Sequence, residues 1–342
     1  MRAAIWYAPH NMKLEDIPEP VPGPEDVKVR IKFAGICHTD VYEYLYGPVT
    51  IYNPPLALGF EFSGIVEEAG SRARGWKKGD RVTGLPYYPC WTCHFCQEEA
   101  WNNCLNQKAH GKHINGVYAE YALFHHRCLY RLADSVSLEE AAAIAPMSVA
   151  MRAVNRAGMR KGESVFIVGA GPIGLALTMA ARIRGAGKII VSEPLEMRRS
   201  KALEVGATHV IDPGKETSRT RVRELTGSLG ADISFDAVGS QATLDTASAC
   251  TRRLGRVGIV GLFFEPTYAM SVMDNAIAGE LSYFATQGFA GEMKEVVELV
   301  NGRKLRPGTI VSKVIPFSQI VEFIDQYEEK SNQFLKTLVQ IG

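Results

Sequence analysis

The sequence lacks long apolar runs and has almost no net charge, and both absences limit what the protein can do. No stretch approaches the roughly eighteen uninterrupted apolar residues of a transmembrane helix, and the N-terminal segment has neither the apolar core nor the cleavage site of a secretory signal. We therefore expect a cytoplasmic protein with no membrane partner. A net charge of +1 provides no basic surface for nucleic acid, so the expected partner is a small-molecule substrate.

Cysteine is sparse outside one short segment. Of the seven cysteines, four lie close together: Cys90, Cys93, Cys96 and Cys104. In a reducing compartment this crowding favours a metal site over disulfide bonds, and four thiolates can surround zinc with no position left for water. An iron–sulfur cluster would favour a different final spacing, often with proline after the last cysteine, and here Leu105 follows. The sequence therefore predicts a structural zinc site.

The strand and helix signals predict two domains. Up to about residue 130, short β-type runs broken by glycine and proline indicate a mostly antiparallel, barrel-like region. Ser137 and Glu140 then have capping-box spacing at the start of an alanine-rich helix. After Lys161, apolar strands alternate with helices, which is typical of parallel βαβ units. We expect a catalytic domain over 1–150 with a cysteine lobe at 86–108, a nucleotide-binding domain over 151–287, and a return to the catalytic domain over 288–342.

A glycine-rich turn follows the first strand of the second domain. Gly169, Gly171 and Gly174 form a G-x-G-x-x-G pattern at the start of a helix, with Pro172 and Ile173 inside it. The first glycine permits a tight turn, the second lets the backbone approach a pyrophosphate, and the third allows close packing of helix on strand. The pattern in this context predicts a dinucleotide-binding site.

An acidic residue at the end of the next strand favours NAD over NADP. Glu193 stands where a carboxylate would bind the ribose hydroxyls, and its charge would repel a 2′-phosphate. Arg198 and Arg199 follow a few residues later and keep NADP as the alternative cofactor.

With the cysteine cluster, the nucleotide turn and an upstream "GICHTDV", the chain resembles zinc-containing alcohol and polyol dehydrogenases of the medium-chain dehydrogenase/reductase superfamily over essentially its whole length. The resemblance implies an α/β fold, with a GroES-like β-barrel catalytic domain plus a Rossmann doubly wound parallel-sheet domain. It also implies a homodimer or homotetramer joined through the edge of the nucleotide-domain sheet. The apolar segment 261–273 is compatible with such a contact, and the alternative is that it packs internally. It places four residues along the nicotinamide half of the cofactor: Val238, Gly239, Gly261 and Leu262.

The resemblance also assigns a catalytic zinc site, from which this sequence departs. Cys37 and Glu61 match two ligands, but Phe60 stands where a histidine is expected and Ala145 stands at the fourth position. Because a catalytic zinc needs about three protein ligands and one open position, we predict that no normal catalytic zinc is bound. Glu61, which lies between two phenylalanines, is then expected to be held by a nearby cation or by hydrogen-bond donors.

The candidate catalytic residues are Thr39 and His38 together with Cys37 and Glu61. The resemblance matches Thr39 to a hydroxyl that relays the substrate proton and His38 to a residue near the cofactor. The alternatives without a catalytic role are a helix cap for Thr39 and an ordinary surface position for His38.

The leading functional prediction is an NAD(P)-dependent oxidoreductase that reduces a carbonyl or conjugated alkene without a normal catalytic zinc. One alternative is a zinc-dependent secondary-alcohol or polyol dehydrogenase with unusual metal ligation. The alternative from another class is a catalytically silent nucleotide-binding protein. Zinc content and a substrate screen separate these three.

Overall fold

The computed structural model describes residues 1–51, 53–262 and 267–342, and the chain divides into two compact units. The first unit contains Met1–Ala145 and Phe289–Gly342, and the second contains Pro146–Gly288. The predicted oligomer contact at 261–273 includes residues 263–266, which lie outside the described residues. Across the three described ranges, no helix combines the length and the apolar character needed to span a bilayer.

The elements alternate along the chain much as the sequence pattern indicates. The strands are β1 (Arg2–Ala8), β2 (Asn11–Asp16), β3 (Asp26–Gly35), β4 (Leu56–Ala57), β5 (Glu61–Ala69), β6 (Arg81–Gly84), β7 (Tyr87–Tyr88), β8 (Lys108–Ala109), β9 (Tyr121–His125), β10 (Leu129–Arg131), β11 (Ser164–Val168), β12 (Lys188–Ser192), β13 (His209–Ile211), β14 (Ala231–Asp236), β15 (Thr251–Ile259), β16 (Ser282–Ala285), β17 (Val311–Pro316) and β18 (Lys336–Gln340). The helices are α1 (His38–Tyr46), α2 (His94–Gln97), α3 (Leu138–Ala141), α4 (Ile144–Arg156), α5 (Pro172–Ile183), α6 (Glu196–Val205), α7 (Ser218–Leu225), α8 (Gln241–Cys250), α9 (Glu292–Asn301), α10 (Ile320–Asp325) and α11 (Tyr327–Lys330).

The first unit is organised around a mostly antiparallel sheet with the order β10-β6-β5-β3-β18-β17, in which β9 also pairs with β3. Strand β3 alternates apolar and charged residues, so Val27, Val29 and Ile31 are buried in the core. At the carboxyl end of β3, Gly35 is paired with Glu61 of β5 on one side and with Leu338 of β18 on the other. This register brings three strand ends together at the predicted catalytic residues.

The second unit contains a six-stranded parallel sheet with the order β13-β12-β11-β14-β15-β16. Numbered within the unit, this is the 3-2-1-4-5-6 order of a doubly wound nucleotide-binding sheet. The central strand β11 is almost wholly apolar and buried, as expected for a parallel strand covered on both faces. The predicted α/β fold class is confirmed.

The capping box predicted at the start of α3 forms only in part. The Oγ atom of Ser137 accepts a hydrogen bond from the backbone N–H of Glu140 at 3.0 Å. The carboxylate of Glu140 instead pairs with Nη1 of Arg303 at 2.5 Å. Glu140 therefore ties α3 to the C-terminal segment of the same unit rather than closing the helix end.

Candidate active site

Glu61 begins strand β5, and its carboxylate forms a buried ion pair. The Nζ atom of Lys336, at the start of β18, lies 2.5 Å from Oε2 of Glu61, and each side chain is only 4% exposed. The same ammonium donates a hydrogen bond to the carbonyl oxygen of Ile36 at 2.8 Å. Lys336 is therefore the nearby cation that the position of Glu61 between two aromatic residues led us to expect.

The ion pair depends on the absence of a side chain at Gly35. A Cβ atom at that position would lie 2.3 Å from Oε2 of Glu61 and 3.0 Å from Cε of Lys336. Sequence reasoning did not identify Lys336. The available signal was a single charge in the apolar run "FLKTLV", which is the counterpart of the single charge in "LGFEFSGI".

Cys37 lies between the end of β3 and the start of α1, where a small polar network fixes it. The hydroxyl of Thr39 donates a hydrogen bond to Sγ of Cys37 at 3.0 Å, and the carboxylate of Asp40 accepts one from the Cys37 N–H at 3.1 Å. Asp40 also accepts hydrogen bonds from the N–H of Gly59 and the hydroxyl of Tyr118. Cys37 occupies the N-cap position of α1, and the Asp40 carboxylate accepts the hydrogen bond from its backbone N–H. Thr39 is therefore not the helix cap.

The thiol of Cys37 favours its protonated form in this environment. Burial raises the pKa of Cys37 to about 11, and the neighbouring Glu61 carboxylate contributes to the shift in the same direction. His38, the first residue of α1, is exposed, and its ring centroid lies 6.0 Å from that of Tyr327. Thus Cys37, Thr39 and Glu61 lie in one neighbourhood, with His38 at its margin.

The residues around Cys37 do not fit a catalytic zinc. Neither the half-buried Phe60 nor the buried Ala145 offers a donor atom. In the described parts of the chain, the cysteine cluster is the only set of three or more His, Cys, Asp or Glu residues with ligand atoms all within 4.8 Å of one another. Cys37 and Glu61 fall short of the three protein ligands that are usual for catalytic zinc.

The four clustered cysteines, in contrast, fit a structural zinc. Sγ of Cys90 lies 3.9 Å from Sγ of Cys96, and the same distance separates the sulfurs of Cys93 and Cys104. Hydrogen bonds from backbone N–H groups, first that of Thr92, lower the pKa of Cys90 to about 5, which favours the thiolate. The four sulfurs all lie within 4.8 Å of one another and can provide a closed tetrahedral set of ligands.

The glycine turn has the geometry of a pyrophosphate cradle. Gly169 has a φ of 93°, in the left-handed region that favours glycine. Gly171 precedes α5, and a Cβ atom built there would meet no protein atom within 4 Å. A Cβ at Gly174 would lie 1.9 Å from the carbonyl oxygen of Gly169, so only glycine allows this close packing. Pro172 and Ile173 form the first turn of the helix, whose N-terminus favours an anion.

Glu193 supports this turn from the end of β12. Its two carboxylate oxygens accept hydrogen bonds from the N–H groups of Ala170 and Leu195 at 2.8 and 3.0 Å. The guanidinium of Arg199 is engaged with four oxygens, which belong to the backbone of Glu193 and Pro194 and to the side chains of Glu196 and Asp212. Arg198 is half-buried beside it. Arg199, in the first turn of α6, thus has a structural role in holding the loop after β12.

Asp236, which sequence reasoning missed, joins the two loops predicted to lie along the nicotinamide. Its backbone carbonyl oxygen accepts hydrogen bonds from the N–H groups of Val260 and Gly261 at 3.0 and 2.8 Å. The Asp236 carboxylate accepts hydrogen bonds from the N–H groups of Val238 and Gly239 at 2.9 and 3.2 Å. A Cβ at Gly261 would lie 2.4 Å from the Gly239 nitrogen, so the two loops are in backbone contact. Val238 and Leu262 each remain about half exposed. The available signal was an aspartate at the end of the buried run "ISFD".

Comparisons with known proteins agree with this architecture. The family model described as "Alcohol dehydrogenase GroES-like domain" matches residues 23–134, and the one described as "Zinc-binding dehydrogenase" matches residues 172–302. Sorbitol dehydrogenase of Bacillus subtilis (strain 168) is 29% identical, with coverage of 99% of this chain and 97% of that protein. Sorbitol dehydrogenase of Homo sapiens is 30% identical, with coverage of 95% and 92%.

A solved structure extends the likeness to three dimensions. The crystal structure of 2R,3R-butanediol dehydrogenase from Bacillus subtilis superimposes with a TM-score of 0.92 at 28% identity, and the match covers 100% of this chain and 99% of that one. Both units of the chain are included in that match. The chain therefore belongs to the zinc-type alcohol dehydrogenases of the medium-chain dehydrogenase/reductase superfamily, and it is an oxidoreductase.

Proposed function

We propose that this protein is a reductase that moves hydride from a nicotinamide cofactor to a carbonyl or conjugated alkene without a catalytic zinc. The observation that carries the proposal is the buried ion pair between Glu61 and Lys336, which engages one of the two remaining zinc-ligand positions. Phe60 and Ala145 supply no donor at the other two positions. Cys37 alone would bind zinc weakly.

The reaction requires a hydride and a proton, and the chain's own residues account for the proton. The nicotinamide, when bound, supplies the hydride. We assign the proton to the hydroxyl of Thr39, which is held against Cys37 and only half-buried. It would pass to the substrate oxygen of a carbonyl, or to the α-carbon of a conjugated alkene, and His38 would return a proton to the relay.

Phe60 supports an apolar substrate. Its half-buried aromatic ring directly precedes Glu61, at a position where the resembling enzymes have a metal ligand. An apolar ring favours contact with a hydrocarbon portion of the substrate, such as the unsaturated chain of an enal or enone.

For the cofactor, we propose NAD rather than NADP. Glu193 places a carboxylate at the end of β12, where it would repel a 2′-phosphate. Arg199, which would otherwise be a candidate to balance such a phosphate, is already engaged with four oxygens. The four cysteines of the first unit would hold one structural zinc.

The second candidate function is a zinc-dependent dehydrogenase of secondary alcohols or polyols. It is favoured by the names of two relatives, both sorbitol dehydrogenases, and by the butanediol dehydrogenase structure. In that case Cys37 and Glu61 would ligate a second zinc, and the pair with Lys336 would have to open.

Zinc content combined with a substrate screen tests the proposal. The purified chain is expected to contain one zinc, and Cys37→Ser is expected to leave that content unchanged. NADH oxidation is expected with an aldehyde, ketone, enone or quinone, and Thr39→Val should lower turnover while NADH binding is retained. Two zinc ions in the wild type, with one lost in Cys37→Ser and with NAD reduction by sorbitol or a secondary alcohol, would establish the second candidate instead.

A further inference from the structure

The second unit contains a cavity at the end of its sheet that lies away from the glycine turn. This basal cavity has a volume of about 370 Å³, and its lining includes Ser164, Lys188 and Arg252, at the amino ends of β11, β12 and β15. The five residues of β11 lie between the cavity and Gly169, which corresponds to about 16 Å of extended strand. Ligands of open parallel sheets bind at the carboxyl ends of the strands, so the basal cavity is separate from the proposed cofactor site.

Glycine backbones form part of the wall of the basal cavity. Gly162 has a φ of 91°, and a Cβ atom built there would meet no protein atom within 4 Å, so the space beside it is open. A Cβ at Gly187 would lie 2.3 Å from the carbonyl oxygen of Gly162, so the turns before β11 and β12 are in direct contact. Sites for small molecules have volumes from about 300 Å³ upwards. The basal cavity is therefore large enough for a small organic ligand.

The carboxylate and the hydroxyls of the lining already have partners within the unit. The carboxylate of Asp232 accepts hydrogen bonds from the N–H and the hydroxyl of Ser164 at 2.8 and 2.7 Å. It also accepts one from Nε of Arg252 at 2.7 Å. The hydroxyl of Thr226 donates to a backbone carbonyl of α7 at 2.7 Å. These groups therefore have their hydrogen bonds before any ligand arrives.

The two cations of the lining keep unused hydrogen-bond donors. The exposed ammonium of Lys188 donates to the carbonyl oxygen of Leu225, and no carboxylate pairs with it in the parts of the chain that the structure describes. The guanidinium of Arg252 uses Nε for Asp232 and Nη1 for the carbonyl of Arg253, whereas Nη2 has no hydrogen-bond partner among the described residues. Because Asp232 offsets only one of the two cations, the cavity has a positive charge in excess.

We propose that the basal cavity binds a small organic dianion of the phosphate-monoester class, with Lys188 and Arg252 as the ligands of the phosphate group. A phosphate supplies several strong acceptor oxygens, and ammonium and guanidinium groups are its usual partners in proteins. Leu229, which is 67% exposed and belongs to the lining, would contact the organic portion. The proposal does not depend on the function proposed for the catalytic residues.

The test measures the binding of glycerol 3-phosphate to the full chain by isothermal titration calorimetry. We expect saturable binding with a dissociation constant below about 1 mM, and no binding of glycerol, which lacks the phosphate. Lys188→Met should weaken the binding at least about tenfold, because a hydrogen bond to a charged group is lost. Since Lys188 is exposed, this variant should fold as the wild type does. The matched control is Lys294→Met, which removes an exposed lysine of the first unit and should keep the wild-type affinity.

Added NADH distinguishes the basal cavity from the glycine turn, which could also attract a phosphate. Saturating NADH should leave the affinity for glycerol 3-phosphate unchanged, because the two sites lie at opposite ends of the sheet. Displacement by NADH, equal affinity in Lys188→Met and the wild type, or the absence of binding below about 1 mM would overturn the proposal. If the wild type did not bind NADH at all, the proposed oxidoreductase function would fail, whereas the comparison of Lys188→Met with Lys294→Met would still decide the basal cavity.

Discussion

Replacing Gly171 with alanine should separate cofactor binding from folding. Gly171 has a φ of −67° and a ψ of −177°, which any residue can adopt, and a Cβ there would meet no protein atom within 4 Å. Substituting alanine for glycine at such a position reduces the conformational freedom of the unfolded chain. The variant should therefore be as stable as the wild type, or more stable by about 0.4–1 kcal/mol.

The added methyl group should nevertheless weaken the binding of NADH. It would project into the space at the N-terminus of α5 where the pyrophosphate is proposed to lie, and would keep the phosphate from the backbone N–H groups. Loss of one hydrogen bond to a charged group costs about 1.5–3 kcal/mol. This corresponds to about tenfold to 150-fold weaker binding, measurable by isothermal titration calorimetry with NADH.

Gly174→Ala is the matched control, since it adds the same methyl group three residues away. Its Cβ would lie 1.9 Å from the carbonyl oxygen of Gly169, a backbone atom with little freedom to move. This variant should lose about 1–3 kcal/mol of stability. If Gly171→Ala bound NADH as the wild type does, the pyrophosphate assignment would be refuted. If the melting temperature of Gly171→Ala were as low as that of Gly174→Ala, the claim that a Cβ at Gly171 meets no protein atom would be refuted.

Three further predictions concern acid stability, the cysteine cluster and the loop after β12. Burial lowers the pKa of His110 from 6.5 to about 4. The stability gained by burying the neutral imidazole is therefore fully present above pH 6.5 and is lost as the pH falls towards 4. Relative to His110→Gln, the wild type should lose about 2 kcal/mol of unfolding free energy between about pH 7 and about pH 5. Tryptophan fluorescence can follow this, because all four tryptophans lie in the first unit, and a difference independent of pH would contradict it. Cys104→Ser should lower the zinc content of the chain by one equivalent in elemental analysis. The control is Cys250→Ser, which changes a buried cysteine of the second unit and should leave the zinc content unchanged. Arg199→Met should lower the melting temperature without changing the ratio of NADH to NADPH affinity, and a selective loss of NADPH binding would show that Arg199 contacts the phosphate.

The sheet of the second unit was predictable because its signals are local. A parallel strand covered on both faces is a continuous apolar run, as in β11, and the glycine turn lies directly after it in the sequence. The turn chemistry at Gly169 and Gly174 requires glycine for reasons contained within a few residues. Each of these features can be recognised without knowing what packs against it.

The partner of Glu61 was not predictable in the same way. A single carboxylate in an apolar strand requires a partner, because burial of an unpaired charge is costly, and this much follows from the sequence. Which residue pairs with it depends on the register of β18 against β3, a contact between distant parts of the chain. The same limit applies to Glu140, whose local capping signal gave way to a distant pairing with Arg303. Local patterns thus identified Glu61 and Glu140, whereas contacts between distant parts of the chain determine which residues pair with them.

The charges at the proposed site balance only without a metal. A zinc ion bound by the Cys37 thiolate and the Glu61 carboxylate would, together with the Lys336 ammonium, leave one positive charge in excess. The protonated thiol of Cys37 and the ion pair of Glu61 with Lys336 are neutral together. Without zinc the site has no Lewis acid to polarise a carbonyl, because the Lys336 ammonium is already paired with Glu61 and bonded to the carbonyl of Ile36. The negative charge formed on the substrate by hydride addition would then be neutralised by a proton from Thr39. Conjugated acceptors are favoured because they spread this negative charge until the proton is delivered.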